Sequence, residues 1–172
     1  MYDVAPLVEG RLLLSSFQHF SCAATVQEEL FSELDYMKKK AQDFVEERYG
    51  SVCLFEHGRV GSCVPHAFDV RSCHHFHLHV LPFTCSIKSA LQGRFEEIDL
   101  QEYRKLINSY EKYGEYLFYE EDGKGFFYIV DEDIEPHLLR TLYARLHHIE
   151  ERANWLSYTS EELLEQSLLV SS

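Results

Sequence analysis

Three histidines, His75, His77 and His79, occupy alternate positions in the run His74-His-Phe-His-Leu-His-Val-Leu-Pro82, with Phe76, Leu78 and Val80 between and after them. On an extended strand alternate residues share one face and lie about 6.5–7 Å apart, so the imidazoles line one surface while the apolar side chains enter a core. Imidazole titrates near neutrality, and one ring nitrogen can be fixed by a hydrogen bond while the other attacks or donates. Such a row suits covalent phosphoryl chemistry without a metal. If the middle ring attacks phosphorus, a neighbour can protonate the leaving oxygen or nitrogen, and backbone donors of a loop can hold the non-bridging oxygens.

Two other readings use the same residues. Histidines on a strand can simply face water or make local hydrogen bonds. Alternatively, two histidines at i and i+2 can share one zinc, and Cys53, His57, Cys63 and His66 stand nearby in sequence, although no C-x-x-C pair accompanies them. His66 and His74 read as loop or edge residues. The five cysteines, Cys22, Cys53, Cys63, Cys73 and Cys85, are odd in number and read as small buried apolar residues, which fits a reducing cytoplasm.

The elements that must position the histidines follow from periodicity. An apolar run over residues 11–17 predicts a strand after Gly10. Thr25 with Glu28 reads as a capping box for a long helix in which Val26, Leu30, Leu34, Met37, Ala41, Phe44 and Val45 recur at helical spacing until Gly50. Residues 51–56 predict a second strand, and residues 74–83 carry the clearest two-residue alternation in the chain.

Further on, Asp99 and Glu102 read as the opening of a short helix, and residues 115–119 and 126–130 as a hairpin around Glu121-Asp-Gly-Lys-Gly125. Helices are expected near residues 136–143 and from Thr159 with Glu162. The aromatic cluster from Tyr110 to Tyr128 reads as cross-strand packing, and Arg140 as a solvated helix residue. The fold class is α+β, built on an antiparallel sheet.

The 172 residues carry 29 acidic and 16 basic side chains, a formal charge of −13, which disfavours nucleic acid as a partner. An apolar fraction of 45% supplies a core and argues against a disordered chain. Asp3 and Glu9 interrupt the start of the chain, and no stretch approaches about 18 uninterrupted apolar residues, so neither export nor a membrane partner is expected. With no repeat or linker, residues 1–172 read as one domain with a triad-bearing core over 1–84 and a C-terminal extension over 85–172.

The sequence resembles the histidine triad (HIT) family, in a bacterial-type form with a C-terminal extension. The family signature, His-x-His-x-His followed by two apolar residues, is matched by His75-Phe-His-Leu-His-Val-Leu81. Upstream, Asp3-Val-Ala-Pro-Leu-Val-Glu-Gly-Arg-Leu-Leu-Leu14 looks like the family's approach to its first core strand, and His19 falls near a strand-end histidine. The likeness covers residues 1–82. Relatives usually have Asn-x-Gly where Glu56-His57-Gly58 stands, and Gly-Gln-Ser where Val70-Arg71-Ser72 stands; some bacterial relatives carry Glu-His-Gly.

The resemblance implies a HIT-like fold whose added hairpin and helices cover one side, and a nucleotide hydrolase or nucleotidyl transferase working through a covalent histidine intermediate. His77 would be the nucleophile, His79 would contact the phosphate and leaving group, and His75 would bond to backbone and help set the tautomer of His77. Ser72 would bind or protonate near the leaving group, Arg71 would supply a phosphate contact, and Asp3 would hold a ribose. The expected partner is a nucleotide or dinucleotide substrate, without a cofactor, and a homodimer is plausible by the same likeness. The altered Glu56-His57-Gly58 and Val70-Arg71-Ser72 segments leave a non-catalytic nucleotide-binding or interaction protein as one alternative, and a zinc-dependent hydrolase as the other.

Overall fold

Of the strand expected over residues 74–83, β3 (His77–Pro82) forms, with Leu78 and Val80 fully buried and His77 and His79 partly exposed on the other face; His75 stands in a bend before it, and His74 lies outside the described residues. The computed structural model describes Asp3 and residues 5–59, 75–155, 157–158 and 160–169. β3 lies between β1 (Leu12–Ser15) and β2 (Val52–Gly58), and the sheet continues through β5 (Tyr116–Glu121), β6 (Lys124–Ile129) and β4 (Glu96–Leu100) in the order β1-β3-β2-β5-β6-β4. Every ladder is antiparallel. Five α-helices are present among the described residues: α1 (Glu28–Tyr49), α2 (Lys88–Gln92), α3 (Lys105–Tyr113), α4 (Leu138–Leu146) and α5 (Glu161–Leu169).

The sheet has a core on each face. On one, Leu54, Leu78, Val80, Tyr116, Phe118 and Phe127 pack beneath α1 and α3. On the other, Cys53, Phe55, Leu81, Leu117, Tyr119 and Phe126 pack against Leu7, Leu91 of α2, and Leu138, Leu139 and Tyr143 of α4. Each of these large buried side chains contributes about 1.5–3 kcal/mol by leaving water. The histidines lie on the second face. The aromatics of β5 and β6 pack across the strands as expected, with the Tyr116 and Phe127 rings stacked 4.8 Å apart, whereas Tyr110 and Tyr113 of the expected cluster stand on α3.

The β2–β5 ladder, six residue pairs from Cys53↔Glu121 to Gly58↔Tyr116, joins strands from the two halves of the chain into one sheet. The hairpin therefore extends the sheet instead of covering a side of it, as the sequence had suggested; α4 and α2 do the covering. Its turn is Asp122-Gly123, with φ of 49° and 70°, the left-handed pair that a two-residue hairpin needs.

Three local expectations are corrected. Thr25 does not cap the long helix: its hydroxyl donates to the Cys22 carbonyl at 2.8 Å and accepts the Cys22 N–H at 3.3 Å, closing a 3₁₀ turn over Ala23–Thr25. α1 begins three residues later and ends where Gly50, at φ +91°, donates to the Glu46 carbonyl at 2.8 Å. Second, its inner face carries Phe31, Leu34, Lys38, Gln42 and Val45, whereas Met37 is 44% exposed. Lys38 and Gln42 go inward because Glu120 of β5 meets them: Lys38 Nζ lies 2.9 Å and 3.0 Å from its two carboxylate oxygens, and Gln42 Nε2 donates at 2.6 Å.

Third, Asp99 lies in the edge strand β4 and not at a helix start; Leu100 turns into the core while Asp99 and Glu96 face water from the sheet edge. α3 follows only at Lys105. The last helix is described from Glu161, and its expected cap, Thr159, lies outside the described residues. Among the described residues no helix is long and apolar enough to cross a membrane.

Candidate active site

Register decides what surrounds each histidine. His77 stands opposite Ser15 of β1, and His79 lies between Leu13 of β1 and Phe55 of β2. Paired residues of an antiparallel ladder share a face, so Ser15, Leu13, Phe55 and His57 border the histidine row. The Phe55 ring lies 4.8 Å from that of His79. At the start of the row His75 Nδ1 lies 2.8 Å from the Ser16 carbonyl; a carbonyl only accepts, so the ring donates from Nδ1. The His19 ring lies 4.4 Å from that of His75.

At the inner end of the row, Arg11 is 1% exposed and its Nη2 lies 2.6 Å from His79 Nδ1. A guanidinium has no acceptor, so Nδ1 must accept, and a neutral His79 then carries its proton on Nε2. The same Nη2 meets Asp3 Oδ2 at 3.0 Å, one hydrogen for each acceptor, and Asp3 Oδ1 receives the Ala5 N–H at 3.0 Å. Arg140 Nη1 lies 3.7 Å from Asp3 Oδ2. Asp3, expected as a ribose ligand, is thus engaged by two buried cations.

Arg140 is not solvated as the sequence suggested. It is 4% exposed, and its guanidinium donates to the carbonyls of Ala5, Arg152 and Ala153 at 2.7, 2.7 and 2.8 Å, tying α4 to the N-terminal segment. Burial, with Arg11 nearby, pulls its pKa down to about 9, so it stays cationic at neutral pH.

The Glu56-His57-Gly58 motif divides its work between the faces. Glu56 points to the α1 side, where its carboxylate accepts the Ala23 N–H at 2.7 Å and the Tyr116 hydroxyl at 3.1 Å. His57 points to the histidine side, and its Nε2 accepts the Leu139 N–H at 3.3 Å, in the first turn of α4. Burial, with His137 nearby, lowers the His57 pKa to about 3. Gly58 leaves room for the Tyr116 ring, which a Cβ would meet at 2.2 Å.

His79 is likewise pushed well below the usual histidine range, first by burial and then by the cations and rings around it, Arg11, His57, His77 and Arg140. The face therefore holds His57 and His79 as neutral rings beside two buried arginines. Among the described residues no group of three or more His, Cys, Asp or Glu side chains is placed to hold a metal ion. Cys53 is buried, and its thiol is pushed upward by desolvation.

Ser72 and Arg71 lie outside the described residues, as do Cys63, His66, Cys73 and His74. The structure brings His75, His77, His79 and Asp3 to one region and adds Arg11, His57 and Arg140. The sequence carried one sign of Arg11, a charge inside the run Gly10-Arg-Leu-Leu-Leu14 with the same parity as Leu13, but only the β1–β3 register places it against His79. No protein-family model matches this chain, and no curated protein matches it.

Proposed function

We propose that the protein is a HIT-like nucleotide hydrolase or nucleotidyl transferase in which His77 takes up a nucleoside 5′-phosphoryl group. The observation that carries this reading is the shared face of His77 and His79 on β3, with His75 held just before the strand by the Ser16 carbonyl, beside buried Arg11 and Arg140 and with His57 and His79 kept neutral. Neutral imidazole is the nucleophilic form, and a cationic surround favours a phosphate over a neutral ligand.

A ring nitrogen of His77 forms a bond to phosphorus as the bond from phosphorus to the leaving oxygen or nitrogen breaks, and the leaving group departs with that electron pair. Water, or a second phosphate as acceptor, then attacks phosphorus, the P–N bond breaks, and its electrons return to the ring. Splitting one displacement into two lowers each barrier. His79 Nε2 has no hydrogen-bond partner among the described residues and is available to the phosphate or the leaving group.

The test is His77→Ala, with release of nucleoside monophosphate measured from dinucleoside polyphosphates and from nucleoside phosphoramidates. Loss of at least roughly a thousandfold in kcat is expected when a covalent nucleophile is removed. Native protein mixed with substrate should also show, in intact-mass spectra taken without acid, an added nucleoside monophosphoryl group that the variant lacks. Equal turnover by the two proteins defeats the assignment, and tight nucleotide binding without turnover by native protein would mark a binding module instead.

A further inference from the structure

Arg11 is a costly residue to place inside a protein. It is 1% exposed, and its Nε and Nη1 are buried without a hydrogen-bond partner among the described residues, so two of its polar nitrogens have left water without compensation there. Each such group bears a desolvation penalty that nothing offsets. What the side chain achieves is concentrated at Nη2, whose two hydrogens serve His79 Nδ1 at 2.6 Å and Asp3 Oδ2 at 3.0 Å. An apolar side chain would fill the same space without the desolvation.

We propose that Arg11 is a positioning residue that locks His79 as a neutral imidazole with its proton on Nε2, so that this ring serves the site as a fixed hydrogen-bond donor and not as an acid. Putting a proton on Nδ1 would break the bond to Nη2 and leave two cations facing each other at hydrogen-bond distance in a poorly solvated place. Among the described residues no group around the ring relieves this. Arg11 leads into β1, His57 comes from β2, His77 from β3 and Arg140 from α4, while the carboxylate described there, Asp3, binds the guanidinium and not the ring. Asp3 holds Arg11 in place and offsets part of its charge.

The consequence for catalysis rests on the reading of the site given above. A neutral Nε2–H can stabilise charge on phosphate oxygens or on a leaving group that departs as an anion, such as a phosphate. It gives no proton to an amine, which leaves phosphorus only when protonated. His79 thus favours phosphoanhydrides over phosphoramidates, and releasing it from Arg11 should narrow that preference.

The experiment has two arms. In the first, long-range proton–nitrogen NMR spectra of the uniformly ¹⁵N-labelled full chain are recorded, with His79 assigned by its disappearance in His79→Asn. Native His79 should show unprotonated Nδ1 and protonated Nε2, unchanged down to about pH 5, well below the ordinary histidine midpoint. Arg11→Met should let His79 titrate at least about one pH unit higher, a tenfold change in its proton affinity. If Arg11→Met fails to fold, Arg11→Gln keeps one donor without the charge and should raise the midpoint likewise. A native His79 that carries its proton on Nδ1, that titrates near the ordinary value, or that is unmoved by both substitutions overturns the proposal.

In the second arm, kcat/KM for a dinucleoside polyphosphate and a nucleoside phosphoramidate are compared near pH 6. Arg11→Met should shift the ratio toward the phosphoramidate by at least about tenfold, the low end of what a positioned acid supplies. An unchanged ratio with both substrates turned over defeats the statement that Arg11 denies His79 the role of acid. If native protein turns over neither substrate, the proposed function fails while the spectra still decide the lock.

Discussion

His57 offers the sharpest test of the electrostatics of the histidine face. Its ring is held neutral in the folded chain, with Nε2 receiving the Leu139 N–H and a pKa lowered to about 3. In the unfolded chain the same ring titrates near about 6.5. Between those values the unfolded state binds a proton that the folded state refuses, so stability rises with pH across that window and is fully present above it. As pH falls from about 7.5 to about 5, the linkage relation assigns His57 alone a loss of about 2 kcal/mol. That is an upper limit, because the ring is partly exposed and water reaching it reduces the penalty.

The perturbation is His57→Gln, which keeps an acceptor for Leu139 and removes the titration. Denaturant unfolding at both pH values gives the comparison, and folded His79 stays neutral over this range in both proteins, so its contribution cancels and the difference reads residue 57. Native protein should lose more than the variant on acidification, by up to about 2 kcal/mol. Equal losses would refute the claim that His57 is kept neutral by its surroundings.

Two further substitutions test the packing that holds the site. Lys38→Met strips the buried Glu120 of its cation and should cost about 3–5 kcal/mol in denaturant unfolding, whereas adding Gln42→Leu and Glu120→Leu should restore most of it, since an apolar trio no longer buries a lone charge. No recovery in the triple variant would show that the cluster contributes more than mutual neutralisation. Gly58→Ala drives a Cβ into the buried Tyr116 ring at 2.2 Å and should cost about 1–3 kcal/mol, seen as a Tm lowered by several degrees; an unchanged Tm would show that the ring can move aside.

Local chemistry was enough to read parts of this protein from its sequence. Alternation over residues 77–81 fixed which side chains of β3 share a face, because a pleated strand has a period of two whatever lies beside it. Gly50 ended α1 and Asp122-Gly123 turned the hairpin because a left-handed backbone is cheap at glycine and tolerated at aspartate. These signals act within a few residues.

What the sequence left open was decided by partners far along the chain. Lys38 and Gln42 lie inside because Glu120 approaches from a strand 82 and 78 residues further along the chain, and periodicity weighted by hydropathy alone picked Met37 in their place. Residues 96–100 form a strand because the exposed side of β6 needed a ladder, against their acidic, helix-opening look. The state of His79, a ring that the sequence could place but not protonate, follows from the β1–β3 register that sets Arg11 against Nδ1 and from Asp3 behind it. Burial of a charge depends on the groups that meet it, and only the folded chain brings those groups together.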